Sequence, residues 1–201
     1  LFNLTTNDPY INIIDGVESL NNLGVNQTIT LENAFSGDVS PNVPNDYDIE
    51  CLLVMNSNDD TWEAEFSLTA FAPVLSVNSI SIENDDNGNG ILDPGESADL
   101  DLSIENFGGT DLDEFILNLD SASPHITIIS GTDNINGIEE SDVSSFNFSI
   151  QVDEETPLGY NAEFILVGSS EMGFDYNDSF VLSVGLVLED FETGNFFLYH
   201  W

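Results

Sequence analysis

Apolar and polar residues alternate one by one along most of this chain. That pattern suits an extended strand with one face in a core and the other in water, as in half-buried antiparallel sheets. Residues 61–71 set Trp62, Ala64, Phe66 and Leu68 against Glu63, Glu65, Ser67 and Thr69. Residues 98–105 set Ala98, Leu100, Leu102 and Ile104 against Asp99, Asp101, Ser103 and Glu105. Residues 145–152 place Phe146, Phe148, Ile150 and Val152 opposite Ser145, Asn147, Ser149 and Gln151. No long stretch holds the 3.6-residue period of a helix. The spacers are rich in Gly, Asn, Asp and Pro, the residues that turns use. The expectation is an all-β chain. Its core should include Phe146, Phe148, Ile150, Phe164, Leu166, Phe180 and Leu182, with Trp62 inward beside Phe66 and Leu68.

An internal repeat sets the organisation. Asp8-Pro9-Tyr10-Ile11-Asn12-Ile13-Ile14 matches Ser123-Pro124-His125-Ile126-Thr127-Ile128-Ile129. Val43-Pro44-Asn45-Asp46-Tyr47 matches Thr156-Pro157-Leu158-Gly159-Tyr160, and Glu50-Cys51-Leu52-Leu53-Val54 matches Glu163-Phe164-Ile165-Leu166-Val167. Ala64-Glu65-Phe66-Ser67-Leu68 matches Asp178-Ser179-Phe180-Val181-Leu182, and the order is kept at a spacing of 113 to 115 positions. The second copy has three strand-like segments ahead of its Ser-Pro landmark, whereas the first has only residues 1–6. The fold class expected is therefore tandem immunoglobulin-like antiparallel β-sandwiches, the first truncated at its N-terminus. Residues 1–72 read as the C-terminal part of a first module. Residues 73–188 read as a complete module of seven short strands. Residues 189–201, with five aromatics, read as the start of a further domain or linker. Tyr160 fits either a tyrosine corner or a generic buried aromatic.

The charge excludes several functions. There are 38 acidic residues and no Lys or Arg in 201 residues. Phosphate recognition needs a basic footprint, so nucleic acid is excluded as a partner. The same argument excludes an anionic membrane surface. No apolar run is long enough to insert in a membrane as a helix, and no basic-then-apolar leader is present. Such a surface attracts divalent cations or basic partners. With no cationic partners the carboxylates mainly repel one another, so mild acid should stabilise the metal-free chain.

One motif carries chemistry. Asp85-Asp86-Asn87-Gly88-Asn89-Gly90-Ile91-Leu92-Asp93-Pro94-Gly95-Glu96 matches the calcium loop D-x-[DN]-x-[DN]-G-x5-E throughout. Asp85, Asn87 and Asn89 occupy the first, third and fifth positions, whose side-chain oxygens face the ion. Gly90 stands at the sharp turn, Ile91 offers its carbonyl, Asp93 ligates directly or through water, and Glu96 closes the loop with its carboxylate. Asp86 should point outward. The flanks read as strands, so calcium here would clip two strands and not open a helix pair. Cys51 lies in an apolar strand and reads as a buried structural thiol. Neither His125 nor His200 is brought to it by spacing, and nothing else suggests a nucleophile, a zinc site or a phosphate loop.

The 87–96 loop, the Ser123-Pro124-His125-Ile126-Thr127-Ile128 strand and the Thr156-Pro157-Leu158-Gly159 turn form one set of landmarks with a last segment. That segment is Val184-Gly185-Leu186-Val187-Leu188-Glu189-Asp190-Phe191-Glu192-Thr193-Gly194. Together they resemble the accessory modules of gingipain-like cysteine peptidases and other type IX-secreted bacterial surface proteins. The resemblance implies a secreted or cell-surface location, beside neighbouring domains of the same chain. The function expected is that of a non-catalytic spacer module rigidified by calcium. A self-associating fibre or adhesin subunit and a carbohydrate-binding module are the alternatives.

Overall fold

The structure is a computed structural model that describes residues 1–58 and 60–185. The segment 189–201, with Trp201 and His200, lies outside the described residues. Every described element is a β-strand. The first six are β1 (Phe2–Thr5), β2 (Ile11–Asp15), β3 (Val17–Glu18), β4 (Ser36–Val39), β5 (Tyr47–Asn56) and β6 (Thr61–Ala70). A two-stranded ribbon follows, β7 (Leu75–Glu83) and β8 (Ser97–Asn106). Then come β9 (Phe115–Asp120), β10 (Ile126–Ser130), β11 (Thr132–Ile135), β12 (Val143–Val152), β13 (Tyr160–Ser170) and β14 (Asp175–Val184).

The repeat is visible strand by strand, because β1–β6 recur as β9–β14. The sheet β3-β1-β5-β6 has its counterpart in β11-β9-β13-β14. The pair β2-β4 has its counterpart in β10-β12, which continues into β8 and β7. Registers agree as well. Tyr47 pairs with Ala70 as Tyr160 pairs with Val184, and Leu4 with Leu53 as Leu119 with Leu166. Side-chain anchors repeat too: Thr6 Oγ1 donates to Glu50 O at 2.7 Å, and Ser121 Oγ donates to Glu163 O at 2.6 Å.

Residues 75–184 form a two-sheet antiparallel sandwich. Its order β7-β8-β12-β10 against β14-β13-β9 is that of the ABED and GFC sheets of immunoglobulin-like folds. The alternating residues meet between the sheets: Leu100, Leu102, Ile104, Phe146, Phe148, Ile150, Phe164 and Leu166 are all buried. Phe180 and Leu182 pack against this cluster half-buried. The second unit has eight strands where the sequence reading counts seven. The extra one arises at Gly131, where the chain leaves β10, which pairs with β12, and crosses to the other sheet as β11, which pairs with β9. A Cβ at Gly131 would stand 2.6 Å from Ile128 Cγ2 and 2.8 Å from Leu119 O, so the crossing needs glycine.

The first unit departs from expectation on one face. The alternation places Trp62, Phe66 and Leu68 in a core, yet they are 52%, 39% and 46% exposed. The register is as expected, since they lie opposite Met55, Cys51 and Ile49, and the last two are buried. What differs is the cover. The second sheet of this unit consists of β2 and β4 alone, and its core is a small cluster around Leu4, Ile49 and Cys51. The units meet at Asn45, whose Oδ1 accepts from Ala72 N at 3.1 Å and Gly109 N at 3.0 Å.

Candidate metal centre

The loop of residues 85–96 joins β7 to β8 at one end of the second sandwich, and its backbone folds around its own side chains. Asp85 Oδ2 accepts from Asn89 N at 2.7 Å and Gly90 N at 3.1 Å. Asn87 Oδ1 accepts from Asn89 N at 3.0 Å, and Asn89 Oδ1 from Ile91 N at 2.7 Å. Gly88 and Gly90 both take φ of +73°, which glycine adopts without strain. Successive Asx turns of this kind wind the chain and leave the second oxygen of Asp85 uncommitted among these bonds.

The other carboxylates gather on the asparagine amides. Asn87 Nδ2 donates to Asp93 Oδ2 at 2.9 Å and to Glu96 Oε2 at 3.2 Å. Asn89 Nδ2 donates to Asp93 Oδ2 at 2.8 Å, and Asp93 N donates to Glu96 Oε1 at 2.6 Å. Glu96 is 5% exposed. Burial pushes its carboxyl above the usual carboxylate range; the bond from Asp93 N opposes this, and the charges of Asp93, Asp85 and Asp86 add to it. This buried carboxylate with acidic neighbours has no Lys or Arg in the chain to pair with.

The donor set suits calcium. It is all oxygen and hard, with carboxylates at the first, ninth and twelfth positions and no thiol or imidazole that would favour zinc. Glu96, Asp93 and Asp85 would supply charge, Asn87 and Asn89 amide oxygens, and Ile91 a carbonyl. In the structure both amides turn their nitrogen toward the carboxylates, so ligation through oxygen requires them to turn over. Among the described residues no group of three or more His, Cys, Asp or Glu side chains is arranged to hold a metal ion by itself. Asp86 is exposed, and its Oδ2 accepts from Ser97 N at 3.0 Å, which staples the loop to the start of β8.

Sequence reasoning missed how the loop is anchored. Leu92 is fully buried in the sandwich core. It bridges to Val184 in parallel, and its carbonyl accepts from Gly185 N at 2.5 Å. Glu96 O accepts from Val152 N at 2.9 Å. The loop thus touches β14 of one sheet and β12 of the other. The apolar pair Ile91-Leu92 in a loop otherwise rich in Asp, Asn and Gly was the available signal.

Other candidates are placed as follows. Cys51 is buried and unpaired, and burial raises its thiol above the usual range. His125 is half-buried, its ring edge-on to Tyr160 at 4.9 Å. Tyr160 is half-buried; its equivalent Tyr47 is the one whose hydroxyl is anchored, donating to Asp8 Oδ2 at 3.0 Å.

No known protein family matches this chain, and no curated protein does. Solved structures that this chain is similar to include two at low identity. One is the native conformation of E. coli alpha-2-macroglobulin, at 12% identity and a TM-score of 0.40 over 77% of this chain. This chain covers 9% of that protein's length. The other is a PapD-like domain of human CEP192, at 16% identity and a TM-score of 0.32, covering 59% of this chain and 87% of that one.

Proposed function

We propose that this chain is a non-catalytic structural part of a larger secreted or cell-surface protein, with calcium in the 85–96 loop stiffening its second sandwich. The observation that carries the reading is the anchoring of one loop to both sheets, through Leu92 on β14 and Glu96 on β12, around a buried carboxylate. A cation that neutralises Glu96, Asp93 and Asp85 would remove their mutual repulsion and lock the sheet ends together. The likeness of the landmarks to accessory modules of gingipain-like peptidases supports the location and the spacer role.

Calorimetric titration of the metal-stripped protein tests this, together with melting curves. Calcium should bind with magnesium as the poorer ligand, and melting should shift upward. The stabilisation reaches about 2.7 kcal/mol when calcium is a hundred times its Kd. Glu96→Gln should lose most of that shift. No calcium heat at millimolar concentration, or an equal shift in Glu96→Gln, overturns the metal assignment. Hydrolytic activity of the chain overturns the non-catalytic role.

A further inference from the structure

Modules strung along one chain move against each other unless something fixes the joint. Here the joint between β6 and β7 is residues 71–74, and its backbone is bonded on the way across. Phe107 N donates to Val74 O at 2.8 Å, and Gly109 N donates to Ala72 O at 3.2 Å. Val74 N donates to Asn106 Oδ1 at 3.1 Å, and Ala72 N donates to Asn45 Oδ1 at 3.1 Å. Pro73 has no backbone donor to satisfy. The connection therefore runs as a short ladder against residues 106–109, with two asparagine side chains serving its N–H groups. The approach is close. A Cβ at Gly108 would fall on Ala72 O and lie 2.5 Å from Val74 N, and one at Gly109 would lie 2.5 Å from Phe71 Cδ1 and 3.0 Å from Asn45 Oδ1.

The two asparagines differ in what they hold. Asn106 ends β8, and its four partners all lie in the connection or in the second unit. Asn45 stands in the first unit, in the turn that leads into β5, and its Oδ1 also accepts from Gly109 N of the second unit at 3.0 Å. One amide oxygen thus ties the first unit, the connection and the second unit at a single point. The internal repeat shows that the sandwich itself does not require it. The residue equivalent to Asn45 is Leu158, in the matching turn ahead of β13. Leu158 has no side-chain acceptor and is 64% exposed, yet that turn leads into a fully paired strand. We infer that Asn45 is an orientation lock: its side-chain oxygen fixes the angle between the two sandwiches, so that they turn as one body. This rests on the spacer reading, since a spacer transmits length and direction only through stiff joints. It is independent of calcium, because Leu75 pairs with Asn106 at the joint while Glu83 and Asp99 mark the far end of the β7–β8 ribbon, where the 85–96 loop sits.

Residual dipolar couplings test this, measured in chelator on the whole chain aligned in a stretched polyacrylamide gel. In the parent protein, couplings from residues 1–70 and 75–184 should fit one alignment tensor. In Asn45→Leu the two sets should need separate tensors, while chemical shifts inside each unit stay in place. Asn45→Asp keeps an acceptor oxygen and should keep the single tensor. Gly109→Ala attacks the same bond from the second unit and should release the joint as Asn45→Leu does. Separate tensors in the parent, or one shared tensor in Asn45→Leu, overturns the inference. Release in Asn45→Asp as complete as in Asn45→Leu overturns it, because the acceptor oxygen would not be what holds the joint. Unfolding of the first unit in Asn45→Leu overturns it too, because the amide would then serve the sandwich and not the joint. Hydrolytic activity, which would sink the spacer role, leaves these couplings unchanged, so the two failures are told apart.

Discussion

Single residues here are held by exact bookkeeping of buried polar groups. Asn106 is fully buried and its side chain makes four hydrogen bonds. It accepts from Val74 N and Gly108 N at 3.1 and 3.0 Å, and donates to Thr110 O and Ile138 O at 2.9 and 3.2 Å. Tyr176 carries an ionisable hydroxyl within the core cluster of the second sandwich. Burial first, then the bond its hydroxyl donates to Asp178 Oδ2 at 2.9 Å, raise it above the ordinary tyrosine range. A raised folded value means that the neutral ring favours the folded state. That stability is complete below about pH 10 and is lost as pH climbs through the folded value. Urea midpoints measured from pH 8 upward should therefore fall on the alkaline side, and Tyr176→Phe should flatten that limb. A variant that falls as steeply as the parent would assign the alkaline loss to other groups.

At the level of elements, the sheet crossing is the feature used twice. Gly16 and Gly131 stand at equivalent places. Leu4 N donates to Gly16 O at 2.7 Å, and Leu119 N donates to Gly131 O at 2.8 Å. A Cβ at Gly16 would lie 2.7 Å from Leu4 O and 2.9 Å from Ile13 Cγ2, nearly the same obstruction as at Gly131. Two backbones and a branched side chain meet there with no room for a methyl group. Gly131→Ala should cost about 1–3 kcal/mol, the usual range for overpacking, with faster hydrogen exchange along β11. Denaturant unfolding reads the first and exchange the second. A neutral substitution would show that the crossing relaxes freely.

For the whole molecule, charge is the dominant long-range term. A net charge of −38 with no Lys or Arg leaves no internal salt bridges to those residues, so the compact state concentrates like charge. Salt should screen it, because the Debye length shrinks from about 30 Å at 0.01 M to about 3 Å at 1 M. The melting temperature in chelator should accordingly rise with sodium chloride. A flat response would mean that the carboxylates stand too far apart to destabilise the fold.

Much of this architecture is written locally. Strict alternation in 98–105 and 145–152 decides which face of β8 and β12 is buried, because side chains of a strand point to opposite sides in turn. The spacing of the repeat carries the order of the strands, and the Asp85-to-Glu96 pattern already marks the loop's acidic and asparagine positions. The anchoring of Leu92 to Val184 was not legible, because it depends on a partner about 90 positions away; the amide orientations were not legible either, because the D-x-[DN] pattern fixes which residues stand in the loop and not which amide atom faces Asp93 and Glu96. Nor was the extra strand at Gly131, where a glycine between Ser130 and the polar Thr132-Asp133-Asn134 reads as an ordinary turn. Trp62 marks the limit most clearly. Its pattern is that of an inward residue, and its register is indeed inward. Whether an inward face is buried depends on a second layer from elsewhere in the chain, and alternation within one strand carries no information about that layer.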